Sequence, residues 1–252
     1  MENFHLLIDL HLPGYRQGPG SDASTRRAID LAGLSAQQGL KVADIGCGTG
    51  ASTLVLARQL NAQIIAVDFL PEFLEGLKKR AAKADLSDRI SVRNASMDAL
   101  DFQMESLDAI WSEGAIYNIG FENGVRQWRR FLKPGGVLAV SEITWLTEHR
   151  PAEIESHWHK EYPEIDTASA KLAVLERNGF SPLGFFVLPK ECWIDEYYRP
   201  MQQRFQGFLQ THGFSDEARA IVAAEQAEID LYERYSSFVS YGYYIARKTA
   251  ND

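Results

Sequence analysis

Val42-Ala43-Asp44-Ile45-Gly46-Cys47-Gly48-Thr49-Gly50, followed by an apolar helical pattern and then by Ile64-Ile65-Ala66-Val67-Asp68, decides the fold. Lys41 to Ile45 suits a buried parallel strand. The glycines at 46, 48 and 50 permit a sharp turn whose backbone can approach a ligand closely. About twenty residues downstream, Asp68 ends the second apolar run, where a carboxylate can accept hydrogen bonds from the two hydroxyls of a ribose. Turn and acid together read as strand, turn, helix, strand and acidic stop, the opening of a nucleoside-binding α/β fold.

Gly46, Gly48 and Ala51 also fit the dinucleotide pattern, so a nicotinamide-dependent oxidoreductase is the alternative. Asp44, two residues before the first glycine, weighs against it, because a carboxylate lining the loop would repel a pyrophosphate. S-adenosylmethionine carries a cationic sulfonium and an ammonium and has no phosphate, so it suits such a loop better. A non-catalytic module that binds S-adenosylmethionine is a third reading.

Outward from the loop, strand and helix alternate, which implies a parallel sheet. A helix over 22–34 follows the Gly18-Pro19-Gly20-Ser21 turn. Strands are expected at 41–45, 63–68, 89–93, 107–111 and 137–143, with helices at 51–60, 71–84 and 120–131; a Lys133-Pro134-Gly135-Gly136 turn closes the last of these helices. After Pro151 come helices near 151–160 and 167–178, a strand at 182–188, a helical stretch from about 194 to 232 and a last strand at 238–247. No repeat or Gly/Ser-rich linker divides the chain, so residues 1–252 read as one domain. Its parts are a covering segment and helix at 1–35, a cofactor-binding core at 36–150 and the remaining sheet at 151–252, with a helical insert at about 190–235.

A net charge of −8 argues against a nucleic-acid binder and favours a small-molecule acceptor. No window reaches twenty uninterrupted apolar residues, so no membrane span is expected, and the first twelve residues lack a secretory pattern. Two cysteines, Cys47 and Cys192, are too few for a disulfide framework, and a cytoplasmic location fits them.

Five motifs in order make the chain resemble the class I S-adenosylmethionine-dependent methyltransferases, particularly the small-molecule group that includes ubiquinone and menaquinone biosynthesis enzymes. They are the Asp44–Gly50 loop, Asp68, Ser96-Met97-Asp98-Ala99-Leu100-Asp101-Phe102, Ser106-Leu107-Asp108-Ala109-Ile110-Trp111 and Phe131-Leu132-Lys133-Pro134-Gly135-Gly136. The resemblance covers roughly residues 40 to 145. It implies a doubly wound, Rossmann-like, seven-stranded and mostly parallel sheet with an antiparallel last strand, an N-terminal covering segment and an insert before that strand. The cofactor implied is S-adenosyl-L-methionine, with S-adenosyl-L-homocysteine as product. Carried over by position, Gly46, Cys47, Gly48 and Gly50 form the cofactor loop and Asp44 helps organise the methionine portion. Asp68 holds the ribose, Phe69 or Leu70 packs near the adenine, and Ser96 and Met97 meet its edge and face. The segment before the first helix would fold over the cofactor, with Arg16 pairing the methionine carboxylate and Tyr15 offering a ring to the sulfonium.

Methyl transfer is an in-line displacement at an activated carbon, so alignment and water exclusion matter most and a base is optional. Glu113, directly after the fourth strand, is the first candidate for cofactor or acceptor binding or for proton removal. Tyr117, Asn118 and His149 are further candidates. Glu142 and Thr144 share one face at the end of the fifth strand, where one of them sees the substrate or Glu142 pairs with a base instead. His157 and His159 are two apart and so do not share a metal, and no metal site is expected. Trp193, Tyr197, Tyr198, Phe205 and Phe208 in the insert read as a lid, as packing against the sheet or as a homodimer contact.

Overall fold

The structure is a computed structural model that describes residues 4–250. Residues 1–3 and 251–252, included in the one-domain reading, lie outside the described residues.

Runs rich in Val, Ile and Ala form β1 (Leu40–Ile45) and β2 (Ala62–Asp68), followed by β3 (Ile90–Asn94), β4 (Leu107–Glu113) and β5 (Leu132–Trp145). Then come the two-residue β6 (Asp166–Thr167), β7 (Phe180–Val187) and β8 (Val239–Lys248). Seven of them hydrogen-bond in the order β3-β2-β1-β4-β5-β8-β7, and β6 adds to β5 off this path. β1 to β5 run parallel, whereas β8 is antiparallel to both β5 and β7, as expected for the last strand. It enters between them instead of at the rim. The short β6 was not foreseen, since its pairing with Thr144 and Trp145 is set by tertiary contact and not by any run of β-formers.

Between the strands lie α1 (Phe4–His11), α2 (Asp22–Ala32), α3 (Ala51–Gln59), α4 (Pro71–Lys83), α5 (Phe121–Trp128), α6 (Ala152–Glu161) and α7 (Ala168–Arg177). Ser21 caps α2 by accepting from the Ser24 amide at 3.0 Å, and Pro71 opens α4. The insert is a chain of pieces: α8 (Glu191–Trp193), a π-helical turn at Ile194–Tyr198, α9 (Arg199–Thr211) and α10 (Asp216–Tyr235). α1, which the sequence reading took as part of a covering segment without a helix, packs against α9.

The Lys133–Gly136 turn proves to be the start of β5, where the ladder to β4 slips between Leu107 and Ala109. Such an irregularity lets one strand begin in what reads as a turn. Two apolar layers cover the sheet. Alternation along β1 sends Val42 to one layer with Trp111 and Trp193, and Ala43 and Ile45 to the other with Phe121, Trp128 and Tyr244.

Candidate functional site

Two cavities meet beneath the segment joining α1 and α2. The first, of about 510 Å³, opens over the C-terminal ends of β1, β2 and β4, where an open α/β sheet places its ligand. Its floor is the loop Gly46–Gly48, with Asp68, Phe69 and Leu70 from the end of β2 on one side and Ser96, Met97 and Asp98 after β3 on another. Glu113, Gly114, Tyr117 and Asn118 follow β4, and Arg16, Gln17 and Pro19 close the top.

The glycine loop holds itself together. The amides of Gly46 and Cys47 both donate to the Val67 carbonyl, at 2.8 and 3.0 Å, and Gly50 donates to Cys47 at 2.9 Å. Gly48 donates to Asp68 Oδ2 at 2.8 Å, and Thr49 to Gln17 Oε1 at 2.8 Å. Each of the five amides is thus engaged within the protein. Gly46 has φ of +73°, and a Cβ there would lie 2.3 Å from the Ala115 Cβ. Gly50 does not reach the cavity: its φ is +87°, and a Cβ would meet Leu77 at 2.1 Å, so it lets the end of the loop lie against Leu77 of α4.

Asp68 sits where expected, lining the cavity while Oδ1 accepts from the Leu70 amide at 2.9 Å. Burial pushes its carboxyl upward, opposed by the Leu70 and Gly48 amides. Asp44 is a correction. It is wholly buried beneath the loop, outside the cavity, and its Oδ2 accepts from Ser52 and Thr53 hydroxyls at 2.8 and 2.6 Å. It anchors the first turn of α3 to β1 instead of meeting a ligand. Burial with no base beside it raises its carboxyl to about 7, and its Oδ1 has no partner among the described residues.

Glu113 is the hub of the upper wall. Its Oε1 accepts from Thr25 Oγ1 at 2.7 Å, Trp111 Nε1 at 3.1 Å and the Tyr243 hydroxyl at 3.0 Å, while Oε2 takes Arg16 Nη1 at 3.1 Å. Three of these donors fall on Oε1 and one on Oε2, so the carboxylate anchors the upper wall and keeps acceptor capacity on Oε2 alone. Arg16 lines the cavity as foreseen, with its other arm on Asp22 at 3.0 Å. Burial works against the guanidinium charge, but Glu113 and Asp22 more than offset it.

Other expectations separate cleanly. Cys47, Phe69, Leu70, Ser96, Met97, Tyr117 and Asn118 all line the cavity. Burial pushes the Cys47 thiol up, away from nucleophile chemistry. Tyr15 turns outward, its hydroxyl 3.4 Å from Asp22 and its ring beneath Arg80, because the buried slot is taken by Arg16. His149 is exposed in the turn after β5 and lines neither cavity. Glu142 is buried 3.6 Å from Lys171 Nζ, the pairing alternative, and Thr144 bonds the Tyr244 hydroxyl at 2.7 Å. Gln17, Phe73 and Asp98 line the cavity and were missed. Asp98 stood within the motif from which Ser96 and Met97 were taken; Gln17 gave no local signal. Among the described residues no group of His, Cys, Asp and Glu is placed to hold a metal. No helix among them is long and apolar enough to cross a membrane.

The second cavity, of about 640 Å³, adjoins the first through Gln17, Gly18, Pro19, Gly114 and Tyr117. It runs between α6, the π-helical turn, α10 and β8, so the insert covers it with Trp193 and Tyr197.

Residues 42–136 match a family model described as a methyltransferase domain. The chain is 26% identical over 241 residues to the 27-O-demethylrifamycin SV methyltransferase of Amycolatopsis mediterranei, covering 90% of this chain and 84% of that enzyme. It is 32% identical over 182 residues to the erythromycin 3''-O-methyltransferase of Saccharopolyspora erythraea, covering 71% of this chain but about half, 53%, of that relative. A solved S-adenosylmethionine-dependent methyltransferase of Geobacter sulfurreducens, in complex with S-adenosyl-L-homocysteine, shares the fold with a TM-score of 0.80 at 17% identity, covering 98% and 97% of the two chains.

Proposed function

Since the chain belongs to the class I S-adenosylmethionine-dependent methyltransferases, we propose that the first cavity holds the methyl donor and the second the small-molecule acceptor. The observation that carries the donor assignment is the self-satisfied glycine loop. A dinucleotide rests its pyrophosphate on free amides of the glycine turn and the helix start, and here the amides of residues 46–50 are all taken within the protein. A nucleoside without phosphate asks only for close approach, which Gly46 and Gly48 permit, and for an acid at its ribose. Of the acids that line the cavity, Asp68 and Asp98 suit a ligand with cationic groups, Glu113 being paired with Arg16. The cavity volume falls within the usual span for small-molecule sites, roughly 300–1,000 Å³.

Asp68 keeps lone pairs free beyond its two amide bonds and so can accept both ribose hydroxyls. Met97 and Leu70 supply apolar faces to the adenine, Ser96 and Asp98 its polar edge, and Arg16 the methionine carboxylate. When bound, the donor supplies a methyl carbon on a sulfonium: the acceptor's lone pair forms the new bond, the pair of the broken carbon–sulfur bond stays on sulfur, and the acceptor's proton passes to water. The chain's own part is to align and to exclude water. Gln17, Gly18 and Pro19 roof both cavities, and Tyr117 stands at their junction. Tyr117, 43% exposed, has its phenol raised by the partial desolvation of its site, so it is placed there as a hydrogen-bond donor at neutral pH.

The chain then acts as one catalytic domain. The two free cysteines and a donor made in the cytoplasm fit a cytoplasmic enzyme, and the charge of −8 fits a small acceptor better than a nucleic acid. Calorimetric titration with S-adenosylmethionine, S-adenosylhomocysteine and NADH tests the donor assignment. Saturable binding of the first two without NADH is expected; NADH binding alone would overturn it. An acceptor screen with radioactive methyl donor then tests turnover.

A further inference from the structure

We propose that the second cavity recognises an acceptor bearing an ammonium group on an apolar or aromatic body, the cation lying between aromatic faces and the Glu228 carboxylate; the acceptor role of this cavity rests on the donor assignment of the first. The wall is built of rings: Trp158 and Tyr162 at α6 and its end, Trp193 and Tyr197 from the insert, and Tyr241 from β8. Trp193 stands 4.9 Å from Tyr241, nearly perpendicular, and is stacked on Tyr232 at 4.3 Å, so its place is fixed. Tyr241 closes the junction with the first cavity, its Cε2 just 2.8 Å from where a Cβ on Gly114 would lie. Tyr197 and Tyr241 are each 9% exposed, and neither hydroxyl has a hydrogen-bond partner among the described residues. Polar atoms so placed on a cavity wall call for a ligand or ordered water.

The charges divide into rim and interior. At the rim Arg234 pairs with Glu153 at 3.0 Å, both side chains about half exposed, so the two neutralise each other. Glu161 lies on the same outer edge, 3.4 Å from Lys160. Inside, Glu228 Oε1 accepts from the Tyr198 hydroxyl at 2.9 Å, while its second oxygen has no partner among the described residues. His157, whose burial lowers its pKa, supplies no charge at neutral pH. The interior therefore holds one acid, Glu228, together with several electron-rich ring faces. Burial pushes the Glu228 carboxyl upward against the Tyr198 hydrogen bond, and a bound cation would favour its charged form. A carboxylate or phosphate on the acceptor would meet repulsion there, and a neutral acceptor would leave the second Glu228 oxygen without a counter-charge. An ammonium satisfies the carboxylate and the ring faces together.

The test uses 2-phenylethylamine, 2-phenylethanol and phenylacetate, titrated into the full chain at neutral pH with S-adenosylhomocysteine present, and followed by the fluorescence of the chamber tryptophans. Binding of S-adenosylhomocysteine is measured separately by calorimetry. The amine is expected to bind roughly ten-fold or more tightly than the alcohol, with phenylacetate weakest. Glu228→Gln should bring the amine to the level of the alcohol while S-adenosylhomocysteine binds as before. The ranking in the unaltered protein tests the proposal even if that variant fails to fold. Equal binding of alcohol and amine, preference for phenylacetate, or no binding of any probe would each overturn it. An amine preference in a protein that ignores S-adenosylhomocysteine would instead overturn the donor assignment and leave the recognition of a cation supported.

Discussion

Asp68 does two jobs through one carboxylate, fixing the Gly48 and Leu70 amides and facing the cavity. Asp68→Ala removes a charged acceptor from the donor, so affinity for S-adenosylhomocysteine should fall roughly ten- to hundred-fold in a protein that still folds. Unchanged affinity by calorimetry would remove Asp68 from the ribose. Asp44 belongs to stability instead. Its carboxyl is raised from an ordinary 3.8 to about 7 by burial, and Glu142 is likewise raised to about 7. Below pH 4 each is protonated whether folded or not. Between about 4 and 7 the folded state keeps protons that the unfolded chain releases, so these groups make stability fall as pH rises, levelling above 7. Asp44→Asn abolishes one such group. Its stability relative to the parent, read from urea midpoints, should therefore be more favourable at pH 8 than at pH 5, by a few kcal/mol at most. An identical difference at both pH values would show that Asp44 does not titrate in this range.

At the scale of elements, Glu113 ties four pieces of chain together: Arg16 before α2, Thr25 within it, Trp111 on β4 and Tyr243 on β8. Glu113→Gln leaves the buried Arg16 with only the more exposed Asp22 as counter-charge and turns an amide NH₂ toward donors. A loss of roughly 3 kcal/mol in unfolding free energy is expected, with the segment over the cavities loosening first. Hydrogen exchange should report faster exchange at residues 14–20 in this variant, and unaltered exchange there would detach the segment from Glu113. This hub was beyond local reading, because its donors stand 2 to 130 positions away in the chain. The strands and helices around the loop were legible, since period and turn chemistry act over a few residues. The anchoring of Asp44 by Ser52 and Thr53, eight and nine positions on, was within reach of the sequence but was read as ligand contact.

For the molecule as a whole, the parallel run of strands followed from alternating β and α runs with short connections, so a cavity over the C-terminal ends of β1, β2 and β4 was to be expected from the sequence. The strand order, with β8 between β5 and β7, was not read from it. Nor was the second cavity. Its wall draws Tyr117, Tyr162, Tyr197 and Tyr241 from four distant segments, and in sequence those rings look like ordinary packing residues. Because residues 17–19 roof both cavities, donor binding should stabilise the entire assembly and not just one loop. A ligand at a hundred times its Kd adds about 2.7 kcal/mol, which for a domain of this length corresponds to roughly 5–10 °C in Tm. Saturating S-adenosylhomocysteine should produce a shift of that order, with protection from exchange reaching residues 14–20 and the insert. A shift of that size given by NADH and not by S-adenosylhomocysteine would return the fold to the dinucleotide reading. Protection confined to the glycine loop would separate the two cavities as independent sites.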